Sequence, residues 1–338
     1  MKVALTIPSA GAGRWCWQGW ANAFKWFGWE AINIADPRIN LEQVDPDLLI
    51  TTTSQPRDDV INWRKNNPNK HLALNVLAWT DRDLPCINNV GVQATAGNLE
   101  YANALQPNLV FAQYSEAWRK KLLGKWKDEG FELGSMEMAA DAVVYPFMRE
   151  EPNRELDIFY VGGRWAYKAE NLDAYLLPVF KTFTNHKVVG KGWPFLTTDM
   201  SEKDVGKNFR NAKVSPNMHE PHSTKGGYDV VERVFKTLYC GGLCVTDYVQ
   251  EMEDGFGLND GYHLLYARNP EEYLDICQAA VERNGHFNGC RKIGQRYVAL
   301  YHTYFNRVAN LFLDLNMITE YCSAIIKLEK WYKEMELV

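Results

Sequence analysis

The chain has 338 residues, about twice the length of an ordinary single domain, so two domains are the starting expectation. Hydrophobic residues make up 46% and charged residues 23%, which fits a large buried core and excludes an intrinsically disordered chain. The net charge of −5 excludes a globally basic nucleic-acid binder, so contact with a polyanion needs a local patch.

Seven cysteines, an odd number, show neither a disulfide framework nor metal-ligand spacing. The N-terminus does not read as a secretory leader, and no apolar run approaches about 18 residues. The expected location is the cytoplasm (the host cytoplasm if the chain is phage-encoded), with no membrane partner.

In chain order, Lys2–Ile7 predicts a strand and Ala10–Arg14 a glycine-rich loop. Trp17–Trp29 has apolar residues at helical spacing, with Gly28 near its C-cap. Strands are expected at Glu30–Ile34, Pro46–Thr53, His71–Trp79 and Asn108–Gln113. Helices are expected at Asp58–Lys65 and, opened by Ser115 as N-cap, at Ser115–Lys127. This alternation predicts a doubly wound α/β sheet that works at its strand C-terminal ends. Val143–Arg154, with two prolines and clustered charge, reads as a linker.

The pattern then restarts with strand Asp157–Val161, helix Glu170–Thr182, strand Lys187–Gly190, helix Tyr228–Leu238 and strand Leu243–Val245. Amphipathic helices follow at Tyr273–Arg283 and Gly289–Ala299, and the tail Thr303–Glu336 is helical.

Two stretches carry the chemistry. In LDIFYVGGRWAYK an apolar run ends in Gly162, Gly163 and Arg164, with Lys168 one turn on. Backbone N–H groups and cations at the start of a helix suit a phosphate. In ERVFKTLYCGGLCVTD a helix enters a glycine turn and then a strand ending at Asp247. A polar loop, 222–227, contains Ser223 and Thr224 and can close on a diphosphate; Gly190 sits in GKGWP, beside the nucleotide base. Gly11, Gly13 and Arg14 form the equivalent loop of the first half, suited to acceptor or phosphate.

Two Rossmann-like halves, a linker near residue 150 and a helical tail resemble the GT-B glycosyltransferases. That resemblance implies two doubly wound domains facing a cleft, with the C-terminal helix packing back on the first. The expected division is 1–148 plus about 318–338, the acceptor side, against 149–317, the nucleotide-sugar side. RVFKTLYCGGLCVTDY and the later His302–Arg307 element resemble the CgeB-like, spore-protein type glycosyltransferases.

WTDRDLP at 79–85 is similar to a Thr-Asp-x-x-Leu-Pro segment of the phage DNA β-glucosyltransferases, where the Asp is the catalytic base. By this resemblance Asp81 is the general base of an inverting transfer. Arg164, with Gly162 and Gly163, meets the donor diphosphate, and Arg233 belongs to the donor helix. The family's ribose-gripping Glu is replaced here by Lys236, so either Asp247 or Glu251 holds the ribose or the donor is an unusual one.

The implied donor is a nucleotide sugar, UDP-glucose, with no tightly bound cofactor and no required metal. Asp81-Arg82-Asp83 also spells the DxD metal motif, so a divalent ion stays open. The favoured acceptor is a 5-hydroxymethylpyrimidine in duplex DNA. It would be gripped by Arg64, Lys65 and Lys70 and by Arg119, Lys120 and Lys121, which are interleaved with Trp63, Trp118 and Trp126. The alternatives are a protein, spore-coat or polysaccharide acceptor, or a protein that binds a nucleotide sugar without transfer.

Overall fold

The computed structural model describes residues 1–8, 12–36, 38–76, 96–195 and 197–338. Gly11, Asp81 and Asp83 lie outside the described residues. The chain divides into residues 1–138 with 304–336, and residues 139–303. Both crossings precede those expected from the sequence, for a local reason. Ala140 pairs with Thr303 in a parallel bridge, and Tyr145 is buried beside Lys236 and Glu202, so the linker belongs to the second unit.

The first unit holds β1 (Lys2–Leu5), β2 (Glu30–Asn33), β3 (Leu48–Thr52), β4 (His71–Asn75), β5 (Leu109–Ala112) and β6 (Leu133–Ser135). Their order is β2-β1-β3-β4-β5-β6, parallel throughout. Such a sheet is covered on both faces, which is why β3 and β5 are buried at every residue with no alternation, β5 apolar throughout and β3 apolar except for Thr51 and Thr52.

The helix expected to start at Trp17 runs Ala12–Phe27, so Gly13 and Arg14 lie in its first turn rather than in a loop. A Cβ on Gly13 would approach nothing closer than 3.8 Å, so space does not demand glycine there. The helix forms because Cys16, Trp17, Trp20, Ala23 and Phe24 make one buried face. The tail helices 304–314 and 318–334 pack back on this helix: Trp26 stacks on Phe305 at 4.0 Å, and Trp331 meets both rings edge-on. Gly19 admits the contact, since a Cβ there would fall 2.2 Å from the Tyr304 ring.

The second unit holds β7 (Leu156–Val161), β8 (His186–Val189), β9 (Ala212–Asn217), β10 (Cys244–Asp247) and β11 (Leu265–Ala267), ordered β11-β10-β9-β7-β8 and parallel. The chain leaves β7 toward β8 and returns to the other side of β7 as β9. The order therefore reverses between β7 and β9, and ligands of open α/β sheets bind at the carboxyl ends of the strands flanking such a point.

β6 and helices 96–105 and 202–211 were absent from the sequence reading, and three further differences lie closer to the proposed sites. β9 was not expected. Ser115–Lys127 divides into helices 116–122 and 124–128, with no side-chain cap bond from Ser115. The expected polar loop at 222–227 is the short helix Pro221–Gly226, ended by Gly227 in the left-handed region.

Candidate donor-binding site

The switch point singles out the segments after β7 and β9, and the second unit's polar side chains gather there. Residues 162–164 follow β7, but the backbone is less open than the glycine pattern implied. The Gly162 N–H donates to Val189 O and the Arg164 N–H to Lys191 O, both at 2.8 Å. The Trp193 indole N–H donates to Gly162 O at 2.8 Å. Among the described residues, the Gly163 N–H is the one amide of the three without a partner.

Gly190 and Gly192 serve this close packing. A Cβ at Gly190 would meet Gly162 O at 2.4 Å, and one at Gly192 would meet Arg164 O at 2.1 Å. Gly190 is therefore a backbone spacer against the Gly162 loop.

The Arg164 guanidinium is forked onto Asp173, with Nε and Nη2 at 2.7 and 2.6 Å from the two carboxylate oxygens. That bond, then the charge of Asp173, holds the arginine's pKa above its usual value. Two other cations stand deeper. Arg233, on helix 232–239, donates to the Tyr160 hydroxyl at 2.8 Å and lies over the Tyr160 ring at 4.9 Å. Its Nη1 is 3.0 Å from where a Gly162 Cβ would be, so the missing side chain makes room for it. Lys168 is buried and bonds Glu220 at 3.0 Å. Burial, then the nearby Arg233 charge, pushes the Lys168 ammonium below the usual lysine range despite Glu220 and Asp247. Lys168 and Arg233 thus repel each other, while Glu220, bonded to Lys168, and Asp247 attract it.

The segment after β9 supplies the rest. Asp247, at the end of β10, is buried and accepts from the His219 N–H at 2.9 Å, from His219 Nδ1 at 2.8 Å and from the Thr224 hydroxyl at 3.0 Å. Burial would raise its pKa, but the charge and hydrogen bonds of His219 and the Thr224 bond hold it below the usual carboxylate value. Glu251, wholly buried, accepts from the Asp229 N–H at 2.7 Å. These two acids, expected as ribose acceptors, thus already accept from backbone and side-chain donors of their own unit. His222 links Asp229 at 2.8 Å to the Tyr167 hydroxyl at 3.1 Å.

Lys236 is also committed. It lies 3.3 Å from the Tyr145 hydroxyl, which donates to Glu202, and 3.8 Å from Glu232. Ser223 is buried in the short helix, and Thr224 reaches the site only through Asp247. Of the residues expected at the site from the sequence, Lys168, Thr224, Arg233 and Asp247 lie in this cluster, together with Tyr160, His219 and Glu220, which were not expected. The only local signal for the last two was the polar cluster 219–224.

Of the basic residues expected on DNA, Lys65, Lys120 and Lys121 are exposed, and Arg64, Lys70 and Arg119 have partners within the first unit. Arg64 is caged by the carbonyls of Pro68, Lys70 and Gln106, and burial pushes its pKa down. Lys70 bonds Asp45 and Asp47. Arg119 pairs with Glu116, and Lys121 lies over the Trp118 ring. Lys65 and Lys120 are exposed, while Trp63, Trp118 and Trp126 are buried. Arg14 is exposed, 5.3 Å from the Trp15 ring centre. Among the described residues no group of three His, Cys, Asp or Glu could hold a metal, and no helix is long and apolar enough to cross a membrane.

Residues 170–312 match the family model described as Glycosyl transferase-like. No curated protein sequence matches the chain. Among solved structures, the chain is similar to an alpha-glucosyltransferase in complex with UDP-glucose and DNA containing an abasic site. The TM-score is 0.61 at 10% identity, covering 93% of this chain and 98% of that one. Sucrose-phosphate synthase from Thermosynechococcus elongatus gives 0.58 at 10% identity, with 94% and 99% covered. A S. aureus TarM mutant in complex with Fondaparinux, alpha-GlcNAc-glycerol and UDP gives 0.55 at 10% identity; the chain spans 57% of its length, with 82% of this chain covered.

Proposed function

The chain carries a glycosyl transferase-like domain on a GT-B fold, and from that premise we propose a nucleotide-sugar-dependent hexosyltransferase with UDP-glucose as donor. The observation that carries the reading is the cation pair at the switch point of the second sheet, Arg233 set against Gly162 and Lys168 buried close enough to feel its charge. As the bond to the anomeric carbon breaks, charge builds on the leaving diphosphate. Fixed donors in a desolvated site stabilise that charge more than water can.

On the acceptor side, Asp81 takes the proton of the attacking hydroxyl, a role whose removal costs typically about 10²–10⁴-fold in rate. The favoured acceptor is a 5-hydroxymethylpyrimidine base in DNA. WTDRDLP and the likeness to an alpha-glucosyltransferase solved with DNA support it, and reaching a base within a duplex requires flipping it out. A protein, spore-coat or polysaccharide acceptor is the second reading. The internal pairing of Arg64, Lys70 and Arg119 favours it, because those side chains are not free to meet a phosphate backbone.

One experiment tests both. The protein is incubated with UDP-glucose and duplexes bearing 5-hydroxymethylcytosine or 5-hydroxymethyluracil, and the nucleosides are read by mass spectrometry. Glucosylated nucleoside supports the DNA reading. Donor turnover on a glycan or protein panel with none on DNA supports the second, and no turnover on any acceptor with no UDP binding overturns the enzyme. UDP-glucose is an α-glycoside, so a β-linked product fits Asp81 as base of an inverting step, and an α-linked product refutes it.

A further inference from the structure

Four buried polar atoms on seven consecutive residues have no hydrogen-bond partner among the described residues: Asn217 Oδ1, His219 Nε2, Glu220 Oε2 and Ser223 Oγ. They lie at the end of β9 and just beyond, beside the switch point. Buried polar groups in folded chains are nearly always satisfied, so such a run at one strand end calls for a partner that arrives from outside.

The chemistry of the four atoms says which partner. The Asn217 amide donates through Nδ2 to the Thr246 hydroxyl at 2.8 Å, so Oδ1 is left as an acceptor. Glu220 gives one oxygen to Lys168, and the other is again an acceptor. Asp247 is held ionised and can only accept, so the His219 nitrogen 2.8 Å away carries the proton. In that tautomer, with a single proton on the ring, Nε2 presents a lone pair. Three acceptors and one hydroxyl do not suit a phosphate, which offers acceptors itself. They suit a ligand rich in hydroxyl groups.

Lys168 senses both Glu220 and Asp247, so these acceptors belong to the same site as the cations. Resting on the donor reading above, we infer that His219 Nε2 accepts a hydrogen bond from a hydroxyl of the transferred hexose, with Asp247 fixing the tautomer that makes this possible. The site then divides by chemistry: cations and an amide for the diphosphate, acceptors after β9 for the sugar.

The test is calorimetry of the full chain with UDP and with UDP-glucose, using two substitutions that separate the ring nitrogens. His219→Asn places an amide N–H where Nδ1 donates to Asp247 but has nothing at the Nε2 position. His219→Gln reaches the Nε2 position and gives up the Asp247 bond. We expect His219→Asn to lose about tenfold in UDP-glucose affinity, the size of one hydrogen bond, with UDP affinity held within about twofold. His219→Gln should keep more of the UDP-glucose affinity than His219→Asn.

The reverse order, or an equal loss for UDP, assigns His219 to holding Asp247 and overturns the inference while leaving the donor reading intact. Failure of the wild-type chain to bind UDP overturns the donor reading itself. Should either variant not fold, deoxy-hexose UDP donors on the wild-type chain decide: one hydroxyl whose removal weakens binding supports the inference, and indifference to every hydroxyl overturns it.

Discussion

In the proposed site, the neighbours of each side chain, more than its position along the sequence, set which cation is open to a diphosphate. Arg164 directly follows the glycine pair, yet its fork is filled by Asp173. Arg233 stands 71 residues beyond Gly162 (233 − 162) and fits into the space that Gly162 leaves. Arg233→Ala is therefore expected to weaken UDP binding by about 1–3 kcal/mol, the range for a charge-assisted hydrogen bond. Arg164→Ala, which frees Asp173, should change affinity less than threefold by roughly the same reckoning. Calorimetry on both variants decides; an equal loss for Arg164→Ala would return it to the donor site.

Lys168 and Arg233 were legible because each sits in a short local pattern. His219, Glu220 and Tyr160 were not, because they become a site only when β9 inserts beside β7. The cysteines give a second residue-scale test. Burial pushes the Cys290 thiol up to about 11 and those of Cys240, Cys244 and Cys277 higher still, while Cys322 is exposed. Since the thiolate is the nucleophile, iodoacetamide at pH 8 should label Cys322 in the native chain and spare those four. Native labelling of Cys240 or Cys244, read by peptide mass spectrometry, would contradict their burial.

At the scale of elements, the strand that completes the site is the one the sequence hid. AKVSPN contains Pro216, which has no N–H to give to a ladder, and proline within a run argues against a central strand. The strand survives because its neighbours provide the remaining bonds: Ser215 N–H donates to Leu243 O at 2.8 Å, and the Tyr273 hydroxyl lies within 2.9 Å of both Asn217 O and Val245 O. The helix before it, 202–211, escaped notice because Gly206 interrupts a polar segment. That glycine is a packing requirement, since a Cβ there would lie 2.6 Å from Pro146.

The loop after β8 shows the same logic. Gly190, at φ +134°, touches the Gly162 backbone where any side chain would collide. Gly190→Ala should destabilise the chain by about 1–3 kcal/mol through this overpacking. It should also weaken UDP binding, because the displaced Gly162 loop sets the space for Arg233. A chemical denaturation midpoint unchanged from wild type would show that the two loops separate at little cost.

For the whole molecule, the restart of the strand–helix pattern at residue 157 made two α/β units readable from the sequence, while the crossing points were set by packing that no local pattern records. Every group assigned to the donor lies between residues 160 and 247, inside the unit that spans 139–303. The five strands of that unit pair only with one another. The first unit differs: its six-stranded sheet lies within residues 1–138, but helix 12–27 is covered by residues 304–334 through Tyr304, Phe305, Phe312 and Trp331.

Separate expression of 139–303 and of 1–138 should therefore give unequal results. The 139–303 fragment is expected to fold cooperatively and to bind UDP within about tenfold of the full chain, because it keeps every residue proposed to meet the diphosphate and loses none of its sheet. The 1–138 fragment uncovers Trp20, Phe24 and Trp26 together, an apolar patch of the kind that drives association, and should aggregate unless 304–338 is supplied in trans. A 139–303 fragment that folds but fails to bind UDP would mean that groups outside residues 139–303 are needed to hold the donor.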